Sequence, residues 1–400
     1  MKKVYIIGAC RTPIGKMGGA LSEVSAVELG RVAISGAIRR SGLQPEQVDH
    51  VYMGCVIQAG LGQNVARQAA LQAGIPFTAT AETLNMVCGS GLDSVNAAAR
   101  LILAGDADVV VAGGMENMSK APFAMMQGRY GYRMGSPMVP SNLVDTMVND
   151  ALWDATNNYH MGITAENVVQ QWNLTREEMD AFALESQRKA CDALARDAFR
   201  PEIEPVQIPS RKGVKIVDRD EGPRSGLTMA DLQKLRPAFR KDGTVTAGNA
   251  STINDGAAAV VLASEEKVKA LGIRPLAQWV GGAMAGVDPA IMGVGPVAAT
   301  RKLFDKLGLS MEDMDLVEAN EAFAAQSLAV ARELQIPAEK LNINGGAIAL
   351  GHPVGASGCR ILVTLLYNLQ ARNLRQGLAT LCVGGGMGCS TIICRSEECV

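Results

Sequence analysis

Ala356-Ser357-Gly358-Cys359-Arg360-Ile361-Leu362 opens a helical pattern whose apolar positions Ile361, Leu362, Leu365, Leu366 and Leu369 fall on one face. A buried strand, Leu378 to Val383, then runs into Gly384-Gly385-Gly386-Met387. The same order occurs earlier in the chain. Gly89-Ser90-Gly91 precedes a helical pattern through Leu92, Val95, Ala99, Ile102 and Leu103, closed by Gly105, and a buried strand from Ala107 to Ala112 leads into Gly113-Gly114-Met115. Further out, Val48-Asp49-His50-Val51-Tyr52-Met53 and Met314-Asp315-Leu316-Val317-Glu318 each put an Asp and a short apolar strand after a helix-like stretch. Chance likeness between Gly-rich α/β turns is the plain alternative. The repeated order favours a duplicated α/β unit, each copy a mixed sheet flanked by helices.

Between the copies the composition changes. Residues 121–247 carry 33 charged side chains in 127, against 45 in the other 273, which marks an exposed, helix-bearing insertion between two drier parts. Within it Thr175-Arg176-Glu177-Glu178 has the form of a capping box for a helix running toward Phe199, with Pro201 as its stop. The domains expected are residues 1–120 with 248–272 as the N-terminal half, 121–247 as the insertion, and 273–400 as the C-terminal half.

The chain has 400 residues, enough for two or three domains with a sizeable core. Lys plus Arg number 38 against 40 Asp plus Glu, so no net field attracts nucleic acid or anionic lipid, and 4% aromatic residues make a base-stacking surface a poor fit. Neither nucleic acid nor membrane is expected as a partner. Nine cysteines, an odd number with no C-x-x-C, argue against a disulfide scaffold or zinc ribbon, and His50, His160 and His352 are too scattered for a metal motif. No metal is expected. The four apolar residues after Lys2-Lys3 are too few for a secretory segment, and no apolar run reaches 18 residues; the expectation is a soluble, cytoplasmic protein. Dinucleotide, P-loop and serine-hydrolase signatures are missing: after Gly60-Leu61-Gly62 the third glycine position holds Val65, and neither a Walker A motif nor G-x-S-x-G occurs.

Chemistry is sought at the ends of the repeated strands. Cys88 stands just before a helix start, where unpaired N–H groups and the helix dipole would lower a thiol's pKa; an inert buried cysteine is the competing reading. His352, in Gly351-His352-Pro353-Val354-Gly355-Ala356-Ser357-Gly358, occupies the matching place in the second copy. Packing of the two halves about a pseudo-two-fold would bring nucleophile and base together. Cys382 ends a buried strand at the sheet edge where α/β proteins place ligands. Asn320, in Glu318-Ala319-Asn320-Glu321-Ala322-Phe323, could orient a water or a carbonyl, or simply cap a helix.

Taken together, Asn85-Met86-Val87-Cys88-Gly89-Ser90-Gly91-Leu92, Asn320-Glu321-Ala322-Phe323-Ala324, Asn344-Gly345-Gly346-Ala347-Ile348-Ala349-Leu350-Gly351-His352-Pro353 and Cys382-Val383-Gly384-Gly385-Gly386-Met387-Gly388 resemble the thiolases. The likeness spans essentially the whole chain, including Arg11-Thr12-Pro13-Ile14-Gly15 and Thr246-Ala247-Gly248-Asn249-Ala250-Ser251. It implies a five-layered αβαβα fold of two similar halves, interrupted by a loop domain that holds coenzyme A. It implies Cys88 as the acylated nucleophile, His352 as its base and Cys382 as the acid/base at the α-carbon. His352 with a water on Asn320 would form one oxyanion site, and the N–H groups of Cys88 and Gly384 a second.

The resemblance further implies coenzyme A contacts at Arg224, Ser251, Leu152, His160, Met161, Phe239, Ala247, Ala322 and Phe323, with Asp231 departing from a serine near the adenine end. Met292 and the His160-Met161 pair resemble the short-chain, biosynthetic type, in which bulk closes the acyl pocket. The implied activity is an acetyl-CoA C-acetyltransferase working on acetyl-CoA and acetoacetyl-CoA with no prosthetic group, and a broader 3-ketoacyl-CoA thiolase of β-oxidation is the alternative. A ketoacyl synthase would use a second histidine where this chain has Cys382, and a non-catalytic CoA- or lipid-binding relative would have no need of these intact positions. The Met- and Gly-rich stretch from Phe123 to Val139, with Arg129 and Arg133, looks like the loop with which family members assemble, so a homotetramer is expected.

Overall fold

Strand β1, Val4–Arg11, lies at the centre of a sheet to which both halves of the chain contribute. The computed structural model describes residues 2–131, 143–211 and 213–395. On one side of β1 come β5 (Asn254–Ser264), β4 (Val109–Asn117), β2 (His50–Gly54) and β3 (Thr80–Leu84); on the other come β6 (Ala277–Gly286), β9 (Met387–Arg395), β8 (Gln376–Val383) and β7 (Leu316–Ala319). A two-residue strand, Gly15–Lys16, adds to β5. The pattern is duplicated about the short antiparallel contact of β1 with β6, where Val4 to Ile6 face Trp279 to Ala277. In each half two antiparallel pairings are followed by a parallel one, β4 with β2 and β8 with β7, and the first half adds β3 beyond.

Helices α2 (Ser90–Ala104) and α7 (Ser357–Ala371) pack on each other, and each touches strands of both halves. They form the middle layer. Outside, α1 (Ala26–Ser41) covers β1, β5 and β4, and α5 (Gly295–Leu307) covers β6, β9 and β8, which completes five layers, αβαβα. The capping chemistry explains the helix bounds. Ser25 accepts the Glu28 N–H at the start of α1, and Gly105 closes α2 at φ 88°, a left-handed conformation that glycine reaches without a Cβ clash. Helix α3 is Met161–Trp172, α4 is Arg176–Ala195 and α6 is Ala324–Glu333.

Two expectations from the sequence need correction. The first-copy strand does not end at Ala112 in a Gly-Gly turn; β4 runs straight through Gly113, Gly114 and Met115 to Asn117. Those glycines serve close approach instead: a Cβ on Gly114 would lie 2.0 Å from the carbonyl oxygen of Gly355. Only the second copy turns there, with Gly385 and Gly386 at φ 84° and 87°. Helix α4 does start in the capping box of Thr175 and Glu178, but it ends at Ala195, ahead of Phe199. The chain leaves the helix through Asp197 at φ 53°, while the Ala198 N–H bonds back to the Ala193 carbonyl, before Pro201 is reached.

The charged insertion is pinned to both halves. Met179 and Ala183 of α4 join the core of the second half, whereas Val206 and Val217 of a surface hairpin join that of the first. Arg11 of β1 is bound to Glu202 and Asp220. Among the described residues no helix is long and apolar enough to cross a membrane, and no group of three His, Cys, Asp or Glu side chains is arranged to hold a metal. Of the stretch Phe123 to Val139, residues 132–139, with Arg133, lie outside the described residues; within the remainder Phe123, Met125, Met126 and Tyr130 are exposed.

Candidate active site

Val87 has φ 46°, a left-handed conformation costly for a β-branched residue, and it forces a sharp turn immediately before Cys88. The Ser90 hydroxyl stabilises the turn, accepting from the Met86 N–H at 2.9 Å and donating to the Val87 carbonyl at 2.6 Å. Gly89 is then the N-cap of α2, so Cys88 sits two residues ahead of the first helical residue. Its sulfur faces the backbone N–H groups of Gly384 and of Cys88 itself. These favour the thiolate, but burial outweighs them: the Cys88 thiol is pushed up to about 11, not lowered as the helix start alone suggested.

His352 approaches from the other half. Its backbone N–H donates to Asn254 Oδ1 at 3.0 Å. Three residues on, the Gly355 N–H donates to Glu116 Oε2 at 2.9 Å, while the Gly355 carbonyl nests in the space left by the missing side chain of Gly114. Glu116, at the end of β4, also accepts the N–H groups of Val56 and Ile57, so one buried carboxylate ties the histidine loop to a loop of the first half. Burial raises that carboxyl to about 7, against those hydrogen bonds. Sequence reasoning missed both Glu116 and Gly114. The available signal was a lone acid following Gly113-Gly114-Met115 in a mostly apolar strand.

The ring of His352 is oriented by Ser357. That hydroxyl donates its one proton to the Pro353 carbonyl at 2.9 Å, so in its 2.5 Å contact with His352 it accepts from Nδ1–H. Nε2 therefore carries the free lone pair, and it meets no hydrogen-bond partner among the described residues. Burial, aided by the positive charge of Arg360, lowers His352 to about 3. The resting pair is neutral thiol and neutral imidazole.

Cys88, His352 and Gly384 line one cavity of about 250 Å³ together with Met292, Leu152 and His160. Met161, Phe239, Ser251, Ala322 and Phe323 complete the part of its wall expected from sequence. The His160 ring stacks on Phe239 with centroids 4.7 Å apart, and its Nδ1 accepts the Gly162 N–H at the start of α3. A junction of the halves shapes the opposite wall, where the Ser251 N–H donates to the Ala322 carbonyl and Ala250 bridges Phe323. Met118, Ala151, Ala250, Thr252, Ile253 and Val354 line the cavity unforeseen; mostly apolar, they carry no local signature.

Cys382 lies in the wall behind, packed among Met161, Ala250, Met292, Ala322 and Phe323. Burial and then the proximity of Cys88 push its thiol far above the usual range. Asn320 is also behind the surface: its Nδ2 is 3.4 Å from His352 Nδ1, and its Oδ1 accepts from Arg360 Nη2 at 3.4 Å. Arg224 and Ala247 do not line the cavity; both are exposed outside it. Asp231 caps the short helix Met229–Gln233 and pairs with Lys234, a local role that accounts for an acid at that position.

A sheet duplicated about β1 and β6, with cysteine and histidine loops meeting between two central helices, defines a class of acyl-transferring enzyme built from two like halves. The chain belongs to the thiolase family: residues 4–266 match the thiolase N-terminal domain and residues 273–395 the thiolase C-terminal domain. The acetyl-CoA acetyltransferase of Pseudomonas aeruginosa is 57% identical over 396 residues, 99% of this chain and 100% of that one. A probable acetyl-CoA acyltransferase of Staphylococcus aureus is 52% identical, over 98% and 99% of the two chains. Among solved structures, the Bacillus anthracis acetyl-CoA acetyltransferase superposes with a TM-score of 0.95 at 47% identity, and human mitochondrial 3-ketoacyl-CoA thiolase with 0.95 at 42%, each covering 99% of both chains.

Proposed function

We propose that this thiolase is an acetyl-CoA C-acetyltransferase that condenses two acetyl-CoA to acetoacetyl-CoA and catalyses the reverse thiolytic cleavage. The observation that carries the reading is the meeting of Cys88, whose sulfur faces two backbone N–H groups, with the unpartnered Nε2 of His352 in one cavity. Cys88 attacks the thioester carbonyl and its proton passes to His352 Nε2. The oxygen that becomes negative is met by the N–H groups of Cys88 and Gly384. Collapse expels the coenzyme A thiolate, which recovers the proton from His352 and leaves an acetyl group on Cys88. Because the resting thiol is held at about 11 and the imidazole is neutral, proton transfer accompanies attack rather than preceding it.

In the second half-reaction Cys382 gives its own proton to His352 Nε2 and, as the thiolate, takes one from the methyl carbon of a second acetyl-CoA. The enolate oxygen is held by the Nε2–H that His352 now carries and by a water on Asn320; the enolate carbon attacks acetyl-Cys88, forming the carbon–carbon bond, and the Cys88 thiolate that leaves recovers its proton from His352. Burial suits Cys382 to this exchange, since a thiolate of high pKa is a strong base, and in the cleavage direction the resting thiol already holds the proton that the leaving enolate takes. Coenzyme A is a substrate here and the residues present suffice for the chemistry without a prosthetic group. The half-buried cavity residues Leu152, His160, Phe239 and Ser251 are assigned to its pantetheine arm, and exposed Arg224 and Ala247, outside the cavity, to its nucleotide end.

Short-chain preference is supported by the apolar bulk of Met292 and Met161 in the cavity wall. The broader 3-ketoacyl-CoA reading is kept because the human 3-ketoacyl-CoA thiolase superposes equally well. One experiment tests both levels: incubation with acetyl-CoA followed by peptide mass analysis, then steady-state cleavage of acetoacetyl-CoA against a C8 3-ketoacyl-CoA. We expect an acetyl adduct on Cys88 and at least about tenfold higher kcat/KM for the C4 substrate, the effect of about 1.4 kcal/mol in transition-state binding. Absence of the adduct removes the mechanism; equal rates remove the short-chain assignment. The exposed Phe123, Met125, Met126 and Tyr130 support self-assembly, which we assign as a homotetramer, and a single-chain mass by light scattering would overturn that.

A further inference from the structure

Two arginines are buried among the described residues, and they are held differently. Arg11 is fully engaged. Its Nε donates to Glu202 at 2.6 Å, and Nη1 and Nη2 fork onto Asp220 at 2.7 and 2.9 Å, the two-pronged geometry of an ion pair that fastens the insertion to β1. Arg360, on α7, has no such anchor. Its Nε and Nη1 meet no hydrogen-bond partner among the described residues, and its one side-chain hydrogen bond runs from Nη2 to Asn320 Oδ1 at 3.4 Å. Glu318, Glu202 and Glu321 lie within electrostatic reach and Arg11 opposes it, yet none of the three carboxylates grips the guanidinium as Asp220 grips Arg11. A buried charge so loosely satisfied contributes little to stability, so its place calls for another reason.

The reason lies in the amide it touches. A primary amide is nearly symmetrical in shape, and packing alone leaves its oxygen and nitrogen interchangeable. Arginine is a donor only, so the side of Asn320 that faces α7 must be the oxygen. Nδ2 is thereby turned to the opposite side, 3.4 Å from His352 Nδ1, a contact without a hydrogen bond because Nδ1–H already donates to Ser357.

We propose that Arg360 is a positioning residue: it locks the Asn320 amide with its oxygen toward α7 and its N–H donors on the His352 side, the polarity needed to hold the water through which Asn320 acts on the enolate oxygen in the proposed reaction. The inference rests on the role given to Asn320 above. With the amide reversed, the water would spend one of its protons on a carbonyl oxygen and lose the donor that holds it with its protons free for the enolate. Preorganised donor direction is what makes such a site effective, because no reorientation is needed at the moment of reaction.

The test is a double-mutant cycle on the full-length protein, with Arg360→Met, Asn320→Ala and the double variant, reading Cys88 acetylation by mass and kcat and KM for acetoacetyl-CoA cleavage. Asn320→Ala is expected to lower kcat about 10²-fold and Arg360→Met about tenfold, with KM changed less than about twofold and Cys88 still acetylated. In the double variant the Arg360 effect should disappear, leaving kcat within about threefold of Asn320→Ala alone. Arg360→Lys, which keeps the charge and a donor, should recover most of the loss, and it also serves if the methionine variant does not fold: whatever loss it shows must vanish in the Asn320→Ala background. Losses that multiply in the double variant, or wild-type kcat in Arg360→Met, overturn the proposal. Failure of Cys88 to acetylate in the wild type would instead strike the functional reading itself.

Discussion

Cys382 is the residue whose sequence context says least about its use, since it ends an apolar strand like many buried cysteines. In the structure it is fully buried against the acyl wall, with a thiol held protonated by burial and by its neighbour Cys88. A serine there would keep the size and the hydrogen while making the proton far harder to remove. Cys382→Ser is therefore expected to acetylate at Cys88 to the wild-type extent while condensation falls at least about 10²-fold, the usual weight of a positioned acid/base. Separate measurement of the adduct by mass and of acetoacetyl-CoA formation decides it, and condensation at the wild-type rate would remove Cys382 from its role. Cys88 and His352 were legible because each stands at a special backbone position, a residue ahead of a helix cap or within a glycine- and proline-rich loop. Glu116, Ser357 and Arg360 were not, because their partners Gly355, His352 and Asn320 arrive from elsewhere in the chain or are met only through side-chain geometry.

Elements show the same division. Helices α2, α4 and α7 could be read with their starts nearly in place, since caps and 3.6-residue periodicity are local properties. The glycine pairs were read by analogy and misled. Gly113-Gly114 and Gly384-Gly385-Gly386 look alike as text, yet the first lies inside β4 and the second makes the turn between β8 and β9. Glycine answers two needs, a left-handed backbone and a missing side chain, and sequence cannot tell them apart. At Gly114 the need is set by the carbonyl of Gly355, a contact that seats the histidine loop and exists only after the two halves dock.

At the scale of the molecule, docking the halves buries a set of carboxyls whose protonation must couple stability to pH. Glu318, at the end of β7, is raised to about 8 by burial, partly offset by Arg360 and reinforced by Glu202 and Glu321. A carboxyl whose folded pKa lies above its unfolded value favours the fold fully below the unfolded pKa, and that contribution is lost as pH rises through about 8. Urea midpoints measured at about pH 5 and about pH 8.5 should therefore fall with rising pH, and Glu318→Gln should remove on the order of a few kcal/mol of that dependence. An identical decline in the glutamine variant would show that Glu318 does not titrate in this way. Glu116, raised to about 7, acts in the same direction and keeps part of the slope in either protein.

Local signals in the sequence were enough for the duplicated α/β plan, the insertion between its halves, the helix starts and the special backbone positions of Cys88 and His352, because periodicity, caps and constrained loops act within a few residues. Tertiary structure alone decided that Cys88 rests as a high-pKa thiol beside a neutral His352, that Cys382 and Asn320 stand behind the cavity wall, and that Arg224 and Ala247 lie outside it. Those are matters of burial and of which distant groups meet. Desolvation at Cys88 outweighs the helix start that pointed the other way, and only the packed halves supply it.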